Sequence, residues 1–238
     1  MKWIIKNIPN LFTLTNLVLG VLAIEHILSA PEGSEPKVHY FVFAAAFCDL
    51  LDGALARALK VPSKFGVQLD SLADLVTFGV LPTFIYASYF PIEGWGYLIL
   101  LVPVCSAIRL AIFNISDNQS AVFKGISTTA HGLFVSALPI VIYNQSSYFG
   151  QTLHEASYWF IVLAVFFSFL MVSPMKMISL KFKGFAFRHN WEKYTLLLST
   201  IPLVAVFRFD SAPYLMMLYL LLSLTVNFRS SENTTHKV

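Results

Sequence analysis

Charge is what this sequence is short of. Asp, Glu, Lys and Arg make up 12% of its 238 residues, about half of the roughly 25% usual in a soluble domain. With 57% hydrophobic residues and 22 phenylalanines, that deficit excludes an ordinary soluble globule and indicates an integral membrane protein. Cysteine is nearly absent. Cys48 and Cys105 lie in apolar segments with no partner at metal-ligand spacing, so they read as small buried hydrophobes. Long linkers, low-complexity tracts and internal repeats are missing too, and residues 1–238 read as a single transmembrane domain.

A membrane span needs about 20 mostly apolar residues. Eight stretches qualify at 10–29, 38–60, 69–91, 95–114, 128–144, 156–174, 191–207 and 211–227, predicting an all-α polytopic bundle. Turn-rich pieces such as APEGSEPK, PIEGWG, NQSSYFGQ and RFDSAP separate several of them. Placing the N-terminus in the cytoplasm puts all of the 16 basic residues except Lys37 and Arg208 on the cytoplasmic side. That asymmetry is the positive-inside pattern, so both termini and the loop KVPSKFG are expected to be cytoplasmic. Lys2 and Lys6 before an apolar run could suggest a signal peptide. The run is longer than a usual apolar core and ILSAPEG offers no A-x-A site, so it is expected to remain as the first span.

Against this background residues 49–74, DLLDGALARALKVPSKFGVQLDSLAD, gather four aspartates. On a helix Asp49, Asp52, Gly53, Ala56 and Arg57 share one broad face of roughly 140°. After a break at KVPSKFG, Asp70 and Asp74 sit four apart on a common face of the next helix. Two adjoining helices could therefore bring four carboxylates to one spot. Ionised carboxylates so packed repel one another, and protons or cations must neutralise them. An all-oxygen set favours Mg²⁺ or Mn²⁺ over zinc, and two ions on shared carboxylates suit displacement at phosphorus. Gly53 and Ala56 leave the helix face bare, and Arg57 offers a permanent cation to phosphate oxygens.

The pattern D49-x2-D52-G53-x2-A56-R57-x8-G66-x3-D70-x3-D74 resembles the signature of the CDP-alcohol phosphatidyltransferase family, complete and with its usual spacing. The resemblance implies a polytopic, typically dimeric enzyme of lipid synthesis that transfers a phosphatidyl group from a CDP-linked lipid to an alcohol and releases CMP. It implies Asp49, Asp52 and Asp70 as metal ligands and Asp74 as a ligand or the general base. Gly53, Ala56, Arg57 and Gly66 would lie against the nucleotide diphosphate, and Thr13 and Asn16 of the first span near the nucleotide. IPNLFTLTNLVLGVLAI, DSLADLVTFGVLP, IRLAIFN and LMVSPMKMISLKFKG resemble the branch whose acceptor is L-serine and whose lipid is CDP-diacylglycerol. The chain departs from that branch at Ile112, where an arginine is expected, and at GISTTA (125–130), where a GLP-like turn is expected.

Serine carries a carboxylate that needs a positive partner, and Arg109 and Lys124 are the residues expected to supply it. Thr77, seven residues after Asp70 and on the same α-helical face, could line the pocket. His26, His131 and His154 have no ligand-like spacing and read as interfacial or packing residues. Lys181, Lys183, Arg188 and His189 form a basic loop suited to topology and anionic headgroups. Trp95, Tyr97, Trp159 and Trp191 suit interfacial belts. Two alternatives stay open at this level: the same chemistry with glycerol 3-phosphate or an inositol phosphate as acceptor, and a cation-coupled transporter. The transporter lacks the broken inverted repeats such proteins carry.

Overall fold

The computed structural model describes residues 2–31, 34–116, 123–145, 147–178 and 187–235. A membrane tolerates only backbone whose polar groups are satisfied internally. Accordingly, the described residues are helical apart from connections and one two-residue ribbon. Helices α1 (Lys2–Ser29) and α2 (Val38–Ala58) pack along each other. The chain then turns, with Lys60 at φ 55°, and Ser63 caps α3 (Lys64–Asp74) by accepting the Gly66 amide at 2.9 Å. The break expected at KVPSKFG is therefore present.

From Asp74 the helix continues as a π-helical segment, Leu75–Val80, and then as α4 (Leu81–Tyr89). A 3₁₀ segment, Gly94–Leu100, leads into α5 (Leu101–Ile115). Strand β1 (Phe123–Lys124), α6 (Thr128–Asn144), α7 (Tyr148–Glu155) and α8 (Tyr158–Val172) follow. Strand β2 (Lys176–Met177), α9 (Phe187–Phe207) and α10 (Ser211–Thr235) complete the described chain.

The core lies between the π-helical segment, α4 and α6, where Phe78, Leu81, Ile85, Val135 and Leu138 are fully buried. In lipid, helices approach closely through small residues rather than through a hydrophobic drive. A Cβ on Gly132 would come within 2.9 Å of the Phe78 Cα, one on Gly79 within 2.9 Å of the Ser106 Cβ, and one on Gly20 would collide with the Thr77 hydroxyl. His131, read as a packing residue, is fully buried and shares a 3.2 Å hydrogen bond with the Tyr86 hydroxyl. Trp95 and Tyr97 are exposed, as residues of an interfacial belt would be.

Five helical runs among the described residues are long and apolar enough to cross a membrane, at 6–29, 38–58, 64–89, 94–115 and 191–227. A sixth is counted if α7 and α8, bent by 111°, form one span. The sequence suggested eight. The difference has physical causes. Helix α6 has 17 residues and is almost wholly enclosed by protein. The run 191–227 counts once by length, yet it turns at Arg208, where φ is 51°. Seven residues of straight helix rise about 10 Å, whereas the rings of Phe207 and Tyr214 are 5.2 Å apart. Phe209 in that turn packs 4.3 Å from His39. Arg208 and Lys37, the two basic residues set apart by the charge count, thus lie at the same end of the bundle.

Gly132→Leu must displace Phe78 backbone and is expected to cost about 1–3 kcal/mol of stability. Val104→Ala, at an exposed position, should change little. Thermal unfolding of both variants in detergent checks this.

Candidate functional site

Asp49 on α2 and Asp70 and Asp74 on α3 each offer a carboxylate oxygen within 4.8 Å of the other two. Helices α2 and α3 both pack against α1, and from there three of the four aspartates bring their carboxylates together. Asp74 is buried and the other two are half-buried. The Asp70 Oδ1 is buried with no hydrogen-bond partner. Three acidic groups this close, with an orphaned oxygen among them, fit a hard divalent cation through oxygen ligands. This cluster could hold a metal ion.

Asp52 stands beside this group rather than in it. It is buried, and its Oδ2 accepts a 2.5 Å hydrogen bond from the Thr13 hydroxyl of α1. Asn16, one turn further along α1, donates from Nδ2 to the Asp74 Oδ1 at 3.1 Å. The Asn16 side-chain Oδ1 is buried without a partner, and its main-chain carbonyl accepts the Thr77 hydroxyl at 3.1 Å. Helix α1 therefore supplies the hydrogen-bonding layer behind the carboxylates. Gly53 lies beneath the Arg57 guanidinium, 3.4 Å from where a Cβ would sit. Ala56 is half-buried, and a Cβ on Gly66 would meet Asn10 of α1 at 3.1 Å. Without side chains at Gly53 and Gly66, Arg57 folds over α2 and α3 lies close to α1, next to the acids.

A cavity of about 960 Å³ opens beside the cluster. Asp49 and Arg57 of α2, Arg109 of α5, Ser127 before α6 and Tyr219 of α10 line it, together with apolar residues of α9. Arg109 lies within electrostatic reach of Asp74 and Tyr219, and its Nε is buried without a hydrogen-bond partner. Lys124 is exposed on β1 and is not among the lining residues. Thr77 is fully buried beneath Gly20, away from the cavity. Its expected position assumed α-helical winding from Asp70, but the helix becomes π-helical at Leu75, which rotates everything beyond it. Such π segments recur at functional sites. Lys181 and Lys183, and the side chains of Arg188 and His189, lie outside the described residues.

Two features escaped the sequence reading. Asn114 near the end of α5 donates to the Ser71 hydroxyl at 2.9 Å and to the Gln68 Oε1 at 3.3 Å. It thereby ties α5 to α3 one residue from Asp70. The only sequence signal was an Asn closing the apolar run IRLAIFN. Tyr219 gave none, being one tyrosine in an apolar helix.

A sequence model described as CDP-alcohol phosphatidyltransferase matches residues 6–170. A CDP-diacylglycerol–serine O-phosphatidyltransferase of Helicobacter pylori strain J99 is 34% identical over 219 residues, covering 90% of this chain and 87% of the relative. A protein of the same name from Bacillus subtilis is 35% identical over 132 residues, 53% of this chain and 71% of the relative. One from Methanocaldococcus jannaschii is 28% identical over 172 residues, 72% and 74% of the two chains.

Removing a hydrogen-bond partner behind a metal ligand typically costs about 10–100-fold in metal affinity or activity. Thr13→Val and Asn16→Leu are each expected to weaken Mn²⁺ binding to the purified protein by that order. Asp70→Asn is expected to abolish it. Isothermal titration in detergent measures all three.

Proposed function

The chain belongs to the CDP-alcohol phosphatidyltransferase family, and from that premise we propose that it transfers the phosphatidyl group of CDP-diacylglycerol to L-serine, giving phosphatidylserine and CMP. The observation that carries the chemistry is the convergence of Asp49, Asp70 and Asp74 beside a cavity lined by Asp49 and two arginines. The serine acceptor is supported by the names of the relatives.

In this reading Asp49, Asp70 and Asp74, with Asp52 beside them, would hold Mg²⁺ or Mn²⁺. Two ions suit four carboxylates. A divalent cation held there would neutralise the diphosphate and stabilise the departing phosphate oxygen. The protein's own groups do the rest. Gly53, Ala56 and Gly66 give the nucleotide diphosphate access to the helix backbones, and Arg57 pairs with phosphate oxygens. Thr13 and Asn16 act behind the carboxylates, orienting Asp52 and Asp74.

Arg109 pairs with the serine carboxylate and presents the hydroxyl to phosphorus. Lys124, exposed on β1, adds positive charge at the approach. As the serine Oγ–P bond forms, Asp74 takes the hydroxyl proton. The P–O bond to CMP breaks, and its electron pair leaves with CMP. Thr77 contributes indirectly, through the main chain of Asn16.

The whole of 1–238 acts as one membrane domain, with both termini and the site on the cytoplasmic side. The basic residues gathered on one side support that orientation, and CMP and serine are water-soluble there. The homodimer implied by family resemblance belongs to the same proposal.

The test is CMP release by detergent-purified protein given CDP-diacylglycerol, Mn²⁺ or Mg²⁺, and a panel of acceptors. Release should require L-serine and stop with EDTA. Release with glycerol 3-phosphate alone would keep the chemistry and replace the acceptor. Asp49→Asn is expected to abolish turnover. Arg109→Ala should raise the serine KM at least about tenfold, the scale of losing a charged hydrogen bond, while the CDP-diacylglycerol KM stays within about twofold. Equal increases in both would exclude Arg109 as the carboxylate partner.

A further inference from the structure

The family match ends at residue 170, yet Ile178, Tyr219 and residues of α9 line the cavity beside the carboxylates. The part of the chain beyond the shared motif therefore builds one wall of the site. How that wall is held can be followed bond by bond.

Tyr219, Ser223 and Asn227 lie four apart on one face of α10. Asn227 accepts the Lys176 amide on Oδ1 at 2.9 Å and donates from Nδ2 to the Lys176 carbonyl at 2.7 Å. Ser223 Oγ accepts the Ile178 amide at 3.3 Å, and the Tyr219 hydroxyl donates to the Ile178 carbonyl at 3.3 Å. These four main-chain groups belong to alternate residues, the set that one edge of a strand presents to a neighbouring strand. The opposite edge is taken by the ribbon: Lys124 pairs with Lys176 and Phe123 with Met177, and the Gly125 amide donates to the Met175 carbonyl at 2.8 Å. Three side chains of a helix thus stand where a third strand would.

The chain of contacts continues into the site. Gly125, at φ 69°, is pressed against the end of α8, where a Cβ would collide with the Met171 carbonyl. Two residues on, Ser127 caps α6 by accepting the Ala130 amide at 3.0 Å. Gly125 and Ser127 line the cavity, as do Asp49 and Arg109 from other elements. Gly53, Ala56 and Gly66, the bare positions assigned to the nucleotide, do not line it. Arg57, assigned to the phosphates, does line it, so the cavity reaches both substrates, and on the α10 side Tyr219 stands within electrostatic reach of Arg109, the residue assigned to the acceptor.

We propose that Ser223 and Asn227, with Tyr219, are positioning residues for the acceptor. They latch α10 to the 175–178 strand, which fixes the Gly125–Ser127 turn and so sets the shape of the serine pocket around Arg109. This rests on the reading of the protein as a serine phosphatidyltransferase. Neither Ser223 nor Asn227 lines the cavity, so their influence on serine passes through the ribbon. Misplacing a binding group by about 1 Å can cost on the order of 100-fold.

Asn227→Leu removes both bonds to Lys176 at similar side-chain volume, and Ser223→Ala removes the acceptor for the Ile178 amide together with the hydroxyl's bond to the Tyr219 carbonyl within α10. Steady-state CMP release, with serine and CDP-diacylglycerol varied separately, reads the effect. The expected result is a rise in serine KM of roughly tenfold or more for Asn227→Leu and a smaller rise for Ser223→Ala. The CDP-diacylglycerol KM should stay within about twofold of wild type in each. Should Asn227→Leu fail to fold, the milder Ser223→Ala decides alone. Serine KM unchanged in the folded variants, or both KM values rising together, would overturn the latch. Wild-type protein whose CMP release ignores serine would instead overturn the acceptor assignment, and the latch with it.

Discussion

Repulsion among carboxylates is the constraint around which this protein is arranged. Asp49, Asp70 and Asp74 offer oxygens within 4.8 Å of one another. At an effective dielectric of about 20, two full charges at that spacing repel by roughly 3.5 kcal/mol. Three such pairs would approach about 10 kcal/mol, comparable with the whole stability of a typical domain. The cluster cannot persist as three free carboxylates in a membrane protein. Cations or protons must share it, and the orphaned Asp70 oxygen supports a cation.

Holding such a group together requires a scaffold that cannot relax away from it. Helix α1 contributes through Thr13 on Asp52 and Asn16 on Asp74. It can do so because Gly20 lets α1 lie directly on Thr77. Behind the acids Gly79 and Gly132 bring α5 and α6 against the π-helical segment. Asn114 pins the end of α5 to α3 at Ser71. Positions with little or no side chain and a few buried polar groups thus do what a large hydrophobic core does in water.

Much of this was legible in the sequence because its cause is local. Helical spacing placed Asp49 with Asp52 and Asp70 with Asp74, and the Pro- and Gly-containing piece KVPSKFG marked the break that lets the two faces meet. The low charge and apolar runs announced the membrane. What stayed hidden depends on winding or on distant encounters. Thr77 lies off the cavity because the α-helical period fails at Leu75, and apolar composition does not announce a π turn. The Asn227–Lys176 and Asn114–Ser71 contacts join residues far apart in sequence, and a lone Asn has no period to betray it. Length and hydropathy alone do not fix the number of spans, because they cannot separate a lipid-facing helix from α6, which the protein itself surrounds, or see the turn at Arg208 inside 191–227.

Whether the acids converge to hold divalent metal is read by anomalous diffraction from crystals grown with Mn²⁺. A strong manganese peak bounded by Asp49, Asp70 and Asp74 is expected, lost in crystals of Asp70→Asn. Well-ordered crystals with no peak, and with the three carboxyl groups paired to one another, would contradict it.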